Sequence, residues 1–196
     1  MRFTRMNSAS APAVPDGEQP ALERARPAAR ADEAELAAIY ETRRGELLAF
    51  LVGMTRDLDE AEDLLQETFV TLVREARAGR MPDDVRPWLY RVAANTTISR
   101  RRRFATWTRL LPRLVDRSEP ERPEGEALRS ERDAELHAAL ARLAPERRAS
   151  LLLAARGFTG HEIAAAIGRS DGATRTVMCR ARLELRGIIE TAEGRP

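Results

Sequence analysis

Residues 158–186, FTGHEIAAAIGRSDGATRTVMCRARLELR, are the most informative part of this chain about its architecture. Thr159 and Glu162 have the spacing of a capping box, which predicts that a short helix begins there. Gly168 tolerates the positive φ of a tight turn, and Ser170 is an N-cap candidate for a second helix. A short helix, a glycine turn and a second helix together predict a helix-turn-helix.

The second helix of this stretch has an apolar face and an arginine-bearing face. Steps of three and four residues predict a buried side made of Thr174, Met178, Ala181, Leu185 and Ile188. The opposite stripe and its flanks consist of Arg175, Thr176, Cys179, Arg180, Arg182 and Arg186. Arginines on one face of a helix can reach phosphates and guanine edges in a major groove. The alternative is an ordinary helical hairpin whose basic face is only solvated.

Composition limits the classes of protein that this chain of 196 residues can belong to. The net charge is only +2 and every basic residue is arginine, so the distribution of charge matters more than its total. The single cysteine excludes an internal disulfide, and two histidines add no recognisable zinc spacing. The sequence predicts no metal or cofactor, no signal peptide and no membrane insertion, and therefore a cytoplasmic protein.

Hydrophobic periodicity predicts an all-α chain with two small helical domains joined by a flexible linker. An alanine-, proline- and arginine-rich start without periodicity predicts a disordered tail over residues 1–30. The first helical domain is predicted at 31–103, and a proline-rich, charge-balanced linker at 104–133. The helix-turn-helix belongs to the second domain at 134–190, and a short tail follows at 191–196.

The first domain contains an acidic helix that starts at a cap-like pair, Asp57 and Glu60. Its predicted apolar side is Leu58, Ala61, Leu65, Phe69, Leu72 and Val73. Its outward side is Asp59, Glu60, Glu62, Asp63, Gln66 and Glu67. Such a block of one sign can dock a basic partner surface, whereas the alternative is a solvated acidic face.

The next helix opens at Pro87, a residue that the first turn of a helix tolerates. We expect Trp88 in the core, and Tyr90, Arg91 and Asn95 to be more exposed. The helix is predicted to end in four consecutive arginines, residues 100–103, which can neutralise phosphates. The rings of Tyr90, Phe104 and Trp107 could stack on unpaired bases. The alternative is a basic helix end that complements its own dipole.

Several motifs resemble one family. Residues 59–69, DEAEDLLQETF, resemble the acidic helix in region 2 of bacterial RNA polymerase sigma factors, and residues 87–95, PWLYRVAAN, resemble its promoter-melting helix. Residues 143–148, LAPERR, and the stretch 162–182 resemble region 4. Because region 2 and region 4 occur here with only a short linker, the chain resembles the extracytoplasmic-function (ECF) group of the sigma-70 family.

The resemblance implies roles for three sets of residues. The set implied to bind core RNA polymerase is Asp63, Gln66 and Glu67. The set implied to bind and help open the −10 element of promoter DNA is Trp88, Arg91, Asn95, Arg100, Arg101 and Arg102. The set implied to read the −35 element is Arg175, Thr176, Cys179, Arg180 and Arg182. The resemblance also implies an anti-sigma factor as a partner and no catalytic chemistry in this chain.

Residues 172–177, GATRTV, depart from the family pattern. Thr174 stands where the family usually has a buried aliphatic residue, and Val177 stands where it has a second basic residue. We expect a weaker grip on the −35 element or an altered promoter preference. A stand-alone helix-turn-helix regulator is the alternative function. A small helical enzyme has no support, because the sequence shows no paired acid and base, metal set or phosphate loop.

Overall fold

The computed structural model describes residues 33–110 and 131–193. The predicted tail at 1–30 and most of the predicted linker lie outside the described residues. The described part consists of seven helices without strands, which confirms the all-α prediction. The helices are α1 (Glu33–Thr55), α2 (Leu58–Arg77), α3 (Val85–Leu110), α4 (Glu131–Arg142), α5 (Pro145–Ala155), α6 (Gly160–Ile167) and α7 (Asp171–Glu193).

The predicted helix starts and turns are present in the structure. The Asp57 side chain accepts a hydrogen bond from the backbone N–H of Glu60 at 2.9 Å and caps α2. Thr159 and Glu162 form both bonds of the capping box of α6. Gly168 ends α6 in the left-handed conformation with φ 65°, and the Ser170 hydroxyl lies 3.3 Å from the backbone N–H of Ala173, which donates to it. The helix-turn-helix, α6 and α7, is therefore confirmed.

Two predictions about helix ends and exposure are wrong. The third helix continues past Arg103 to Leu110, because the arginines and the residues after them contain no helix breaker before that point. Leu58 is 44% exposed rather than buried, since it is the first residue of α2 and precedes the turn that packs on the core.

Tyr90 is also placed differently from its prediction, because it is 2% exposed. Its ring lies 5.1 Å from the ring of Phe50 and 4.8 Å from that of Phe158, measured between centroids. Phe50 belongs to α1, and Phe158 precedes α6, so this aromatic cluster joins the two predicted helical domains. Aromatic side chains bury a large apolar area, which explains why Tyr90 turns inward. The two groups of helices share one hydrophobic core.

Polar contacts cross the same boundary. The Arg148 guanidinium at the start of α5 donates from Nη1 to the carbonyl of Met54 in α1 at 2.5 Å. Arg86 donates from Nη2 to the carbonyl of Arg156 at 3.0 Å, and its guanidinium lies 4.4 Å from the ring centroid of Phe158. Helix α5 and the segment after it are thereby held against α1 and α3.

Candidate polymerase and nucleic-acid interfaces

The acidic face of α2 presents the three residues that the sequence assigned to a protein partner. Asp63, Gln66 and Glu67 are all exposed. No described side chain bonds Asp63 or Gln66, whereas Glu67 accepts a hydrogen bond from Arg100 of α3. Gln66 and Glu67 lie three and four positions after Asp63, so the three side chains share one side of the helix. The structure therefore brings this set together on an open surface.

The residues predicted to bind the −10 element separate into an exposed pair and a group with internal partners. Arg91 and Asn95 are exposed on α3, one turn apart. Trp88 is half-buried and packs against the core, as its apolar ring predicts. Arg100, Arg101 and Arg102 form ion pairs within the described part of the chain, whereas Arg91 and Asn95 keep their polar groups available to a ligand.

Arg101 is fixed by the first two helices. Its Nη2 donates to the carbonyl of Thr55 at 2.9 Å and to Glu60 Oε2 at 3.0 Å. Its buried Nε has no hydrogen-bond partner within the described residues. Since one guanidinium joins the end of α1 to the start of α2, Arg101 serves the packing of these helices in this conformation.

Arg102 crosses to the other group of helices. Its guanidinium binds Glu146, which lies in the first turn of α5. The same carboxylate accepts from Arg169 in the turn of the helix-turn-helix, with Nη2 at 3.0 Å and Nε at 3.2 Å. Sequence reasoning missed Glu146 and Arg169 as contact residues, although Glu146 lies inside the quoted stretch LAPERR.

The residues predicted to read the −35 element lie along the solvent-facing side of α7, and Thr176 and Arg180 at its edge also line a cleft next to α5. All five side chains are exposed: Arg175, Thr176, Cys179, Arg180 and Arg182. The three arginines among them form no ion pair within the described residues. This side of α7 offers a row of free hydrogen-bond donors with the spacing of a major-groove reader.

The two departures from the family pattern lie on the inner side of α7. Thr174 is 1% exposed, and its hydroxyl has no hydrogen-bond partner within the described residues. Val177 is half-buried, packs against the core and lines a cleft next to α5. An apolar side chain fits this position better than a charged one, because a charge there would be partly desolvated.

The turn of the helix-turn-helix lies against the promoter-melting candidate α3. Helix α6 packs on α3, and a Cβ atom built on Gly168 would lie 3.8 Å from Asn95 Oδ1. In this conformation α6 stands beside a residue that the sequence assigned to the −10 element. Sequence reasoning did not predict this contact.

Comparison with known proteins identifies the family. The family pattern described as Sigma-70 region 2 matches residues 39–108, and the pattern described as Sigma-70, region 4 matches residues 133–185. The chain belongs to the sigma-70 family. The two regions of this family account for the acidic helix, the promoter-melting candidate and the helix-turn-helix, in that order along the chain.

Relatives of this sigma-70 member carry names that confirm the predicted ECF group. The chain is 36% identical over 134 residues to the ECF RNA polymerase sigma factor SigE of Mycolicibacterium smegmatis, a match over 66% of this chain and 52% of the relative. It is 30% identical to the ECF sigma factor SigG of Mycobacterium tuberculosis, over 97% of this chain and 56% of the relative. The chain thus spans about half the length of these relatives.

A solved structure shows the same fold. The sigma factor RpoE of Bartonella quintana, in complex with the anti-sigma factor NepR, matches with a TM-score of 0.63 and 22% identity, over 80% of this chain and 97% of RpoE. The comparisons give no support to a stand-alone helix-turn-helix regulator. Among the described helices, none combines the length and the hydrophobicity that a membrane-spanning segment needs. The described residues also contain no group of three or more histidine, cysteine or acidic side chains placed to bind a metal.

Proposed function

We propose that this chain is a promoter-specificity subunit, which binds core RNA polymerase, recognises −35 and −10 elements and helps to melt the promoter DNA. The observation that supports this proposal most strongly is the occurrence of regions 2 and 4, in order, on one chain with an exposed acidic face and an exposed arginine face. The chain acts in the cytoplasm and leaves catalysis to the polymerase. An anti-sigma factor, as in the RpoE complex, is a further partner in this proposal.

The acidic face of α2 supports the polymerase contact. Asp63 and Gln66 make no bonds within the described structure, so a partner meets them without breaking internal contacts. Glu67 has to share its carboxylate between Arg100 and that partner. A basic surface on the clamp helices of the largest polymerase subunit would complement this face, and complementary charge mainly raises the association rate and fixes orientation.

Helix α3 supports a contact with opened DNA. Asn95 can donate and accept hydrogen bonds at the edge of an unpaired base, and Arg91 can bind an adjacent phosphate. The Nη2 groups of Arg100, Arg101 and Arg102 bind the carboxylates of Glu67, Glu60 and Glu146, so a phosphate takes these donors by replacing those carboxylates. A phosphate is a suitable replacement, because a guanidinium binds both groups with the same planar pairs of N–H donors.

Helix α7 supports duplex recognition at the −35 element through Arg175, Thr176, Cys179, Arg180 and Arg182. Because Val177 is apolar and half-buried, this helix has one phosphate contact fewer than the family pattern implies. One lost contact lowers the slope of log affinity against log salt by about one unit. We expect Val177→Arg to steepen this slope by about one unit, and an unchanged slope would contradict a phosphate contact at this position.

The experiment that tests this function is transcription by purified core RNA polymerase on a genomic DNA library, with and without the chain. We expect defined start sites only when the chain is present, and their upstream sequences would reveal the promoter elements. Random initiation that is unaffected by the chain would contradict the proposal. The same reaction without core polymerase should give no transcript.

A matched pair of variants tests the polymerase contact. Asp63→Arg reverses a charge on the acidic face, whereas Glu190→Arg reverses an exposed charge near the end of α7. We expect the first variant to weaken binding to core polymerase about tenfold, which is about 1.4 kcal/mol, and the second to change it less than twofold. Equal effects of the two variants would remove this face from the interface.

A further inference from the structure

One carboxylate joins the region 2 helix α3 to the helix-turn-helix of region 4. Glu146 has a side chain that is 19% exposed, and it binds Arg102 of α3 together with Arg169 between α6 and α7. The two arginines lie 67 positions apart in the chain, but they share this single negatively charged group. Loss of Glu146 would leave two guanidinium groups facing each other without a counterion.

These guanidinium groups belong to a cleft that unites both predicted DNA-binding surfaces. A cleft of about 590 Å³ is lined by Arg102 of the −10 set and by Thr176 and Arg180 of the −35 set, with Glu146 and Arg169 beside them. This volume is typical of a site for a small molecule. A DNA duplex does not fit into it, so the sides of Arg102, Thr176 and Arg180 that line the cleft are withheld from DNA while the cleft is closed.

We propose that Glu146 takes the place of a DNA phosphate on Arg102 and Arg169 and so keeps the free chain in a closed conformation with lowered DNA affinity. This inference rests on the proposed function, because it concerns the regulation of the surfaces that bind promoter DNA. Carboxylate and phosphate compete for the same guanidinium donors. A phosphate can therefore take the donors that bind Glu146 only when Glu146 releases them, whereas Arg175 and Arg182 stay exposed in the closed form.

The ion pair between Arg102 and Glu146 is only one of the contacts that hold the closed form. The aromatic cluster of Tyr90, Phe50 and Phe158, and the bond from Arg148 to Met54, pack the same groups of helices together. Replacing Glu146 alone therefore shifts the equilibrium toward the open form without separating the helices completely.

The test compares Glu146→Gln with Glu190→Gln in the full chain. Both variants remove one negative charge, but no described residue pairs with Glu190. The probe is a fluorescent DNA duplex of mixed sequence, titrated over a series of salt concentrations. We expect Glu146→Gln to bind about fivefold more tightly and to steepen the salt slope by about two units, because two arginines gain phosphates at about 0.9 unit each. Glu190→Gln should change neither quantity by a comparable amount.

A second measurement reports closure without DNA. Dyes are attached to cysteines placed at the exposed positions Ala49 in α1 and Ala165 in α6, in a chain with Cys179→Ser. We expect energy transfer between the dyes to fall in Glu146→Gln, to fall further in Glu146→Arg, and to recover partly when Arg102→Glu is added to Glu146→Arg. Glu190→Gln should leave the transfer unchanged.

The outcomes separate this inference from the proposed function. If Glu146→Gln behaves like Glu190→Gln in both measurements, the inference is wrong. If it binds DNA more tightly while energy transfer stays unchanged, the carboxylate only repels phosphate and closure by Glu146 is again excluded. A chain that directs transcription with core polymerase in either case upholds the proposed function, and a chain that fails to do so contradicts that function whatever the dyes report.

Discussion

Arg148 is the buried charge on which the start of α5 depends. It is 8% exposed, and its guanidinium donates to the carbonyls of Leu140 at 2.9 Å, Met54 at 2.5 Å and Leu143 at 3.3 Å, and also to that of Ala141. Burial, followed by the charges of Arg101 and Arg56, lowers the pKa of Arg148 to about 10, so the side chain remains protonated at pH 7.

Replacing Arg148 with methionine tests this role. The substitution keeps most of the side-chain volume but leaves buried carbonyls without donors, and we expect a loss of about 2–4 kcal/mol in the free energy of unfolding. Arg186→Met is the control, since Arg186 is exposed within α7 and should change stability by less than about 0.5 kcal/mol. Urea unfolding measures both. Similar stabilities for the two variants would show that the carbonyls find other donors.

At Thr174, unlike at Arg148, we expect an apolar substitution to raise the free energy of unfolding. Its hydroxyl is buried and has no partner in the described part of the chain, so Thr174→Val should stabilise the protein by about 1 kcal/mol. Thr97 is a matched control, because it is 0% exposed but donates to the carbonyl of Ala93 at 2.8 Å. Thr97→Val should destabilise by a similar amount. Thermal melting compares them, and a loss of stability in Thr174→Val would mean that its hydroxyl is satisfied in solution.

Helix α6 is short, and its capping box links its stability to pH. The Thr159 hydroxyl donates to the Glu162 carboxylate at 2.7 Å and the Thr159 backbone N–H does so at 2.7 Å. These bonds hold the pKa of Glu162 below its ordinary value of 4.5. Between the folded and unfolded pKa values the unfolded chain binds more protons, so stability falls as pH falls through this window.

The prediction for this element is a pH-dependent difference between variants. Glu162→Gln should destabilise the protein most near neutral pH, and the difference from the unsubstituted chain should shrink below pH 4.5 as Glu162 becomes protonated. Glu190→Gln should show no such trend, since no described group pairs with it. Urea midpoints measured from pH 7 downward provide the comparison. If the stability difference between Glu162→Gln and the unsubstituted chain did not change with pH, the charged capping bond would be excluded.

The packing between the two groups of helices depends on a close approach at Gly53. A Cβ atom built there would lie 3.2 Å from Leu152 Cδ1 of α5, whereas one built on Gly45 in the same helix meets nothing within 4 Å. Glycine at this position lets α5 lie close to α1, since any side chain there needs room at the contact.

The whole-molecule prediction follows from this difference. Gly53→Leu should force α5 away from α1 and increase the radius of gyration of the free chain, whereas Gly45→Leu should leave it unchanged. Both substitutions favour helix over glycine, so helical content should be kept. Small-angle X-ray scattering with circular dichroism makes the measurement. An unchanged radius in Gly53→Leu, with helicity intact, would show that the contact adjusts locally.

Helix starts and exposed helix faces could be predicted from the sequence, whereas contacts between distant residues could not. Helix starts at Asp57 and Thr159 were predictable, because a cap and its partner lie three residues apart. The exposed sets on α2 and α7 were also predictable, because one helical face repeats every three or four residues. The position of Tyr90 was not, since its polar hydroxyl suggests exposure while its packing partners Phe50 and Phe158 lie far away in the chain.

The all-α class, the helix-turn-helix and the family could be recognised from the amino-acid sequence alone, because these depend on residues within a turn or two of each other. Which arginines are already paired could be seen only in the folded chain. Arg102 and Glu146 are 44 positions apart, and Arg148 and Met54 are 94 apart. No local pattern specifies such contacts, since they form only when buried apolar surfaces from distant helices meet and bring their polar neighbours together.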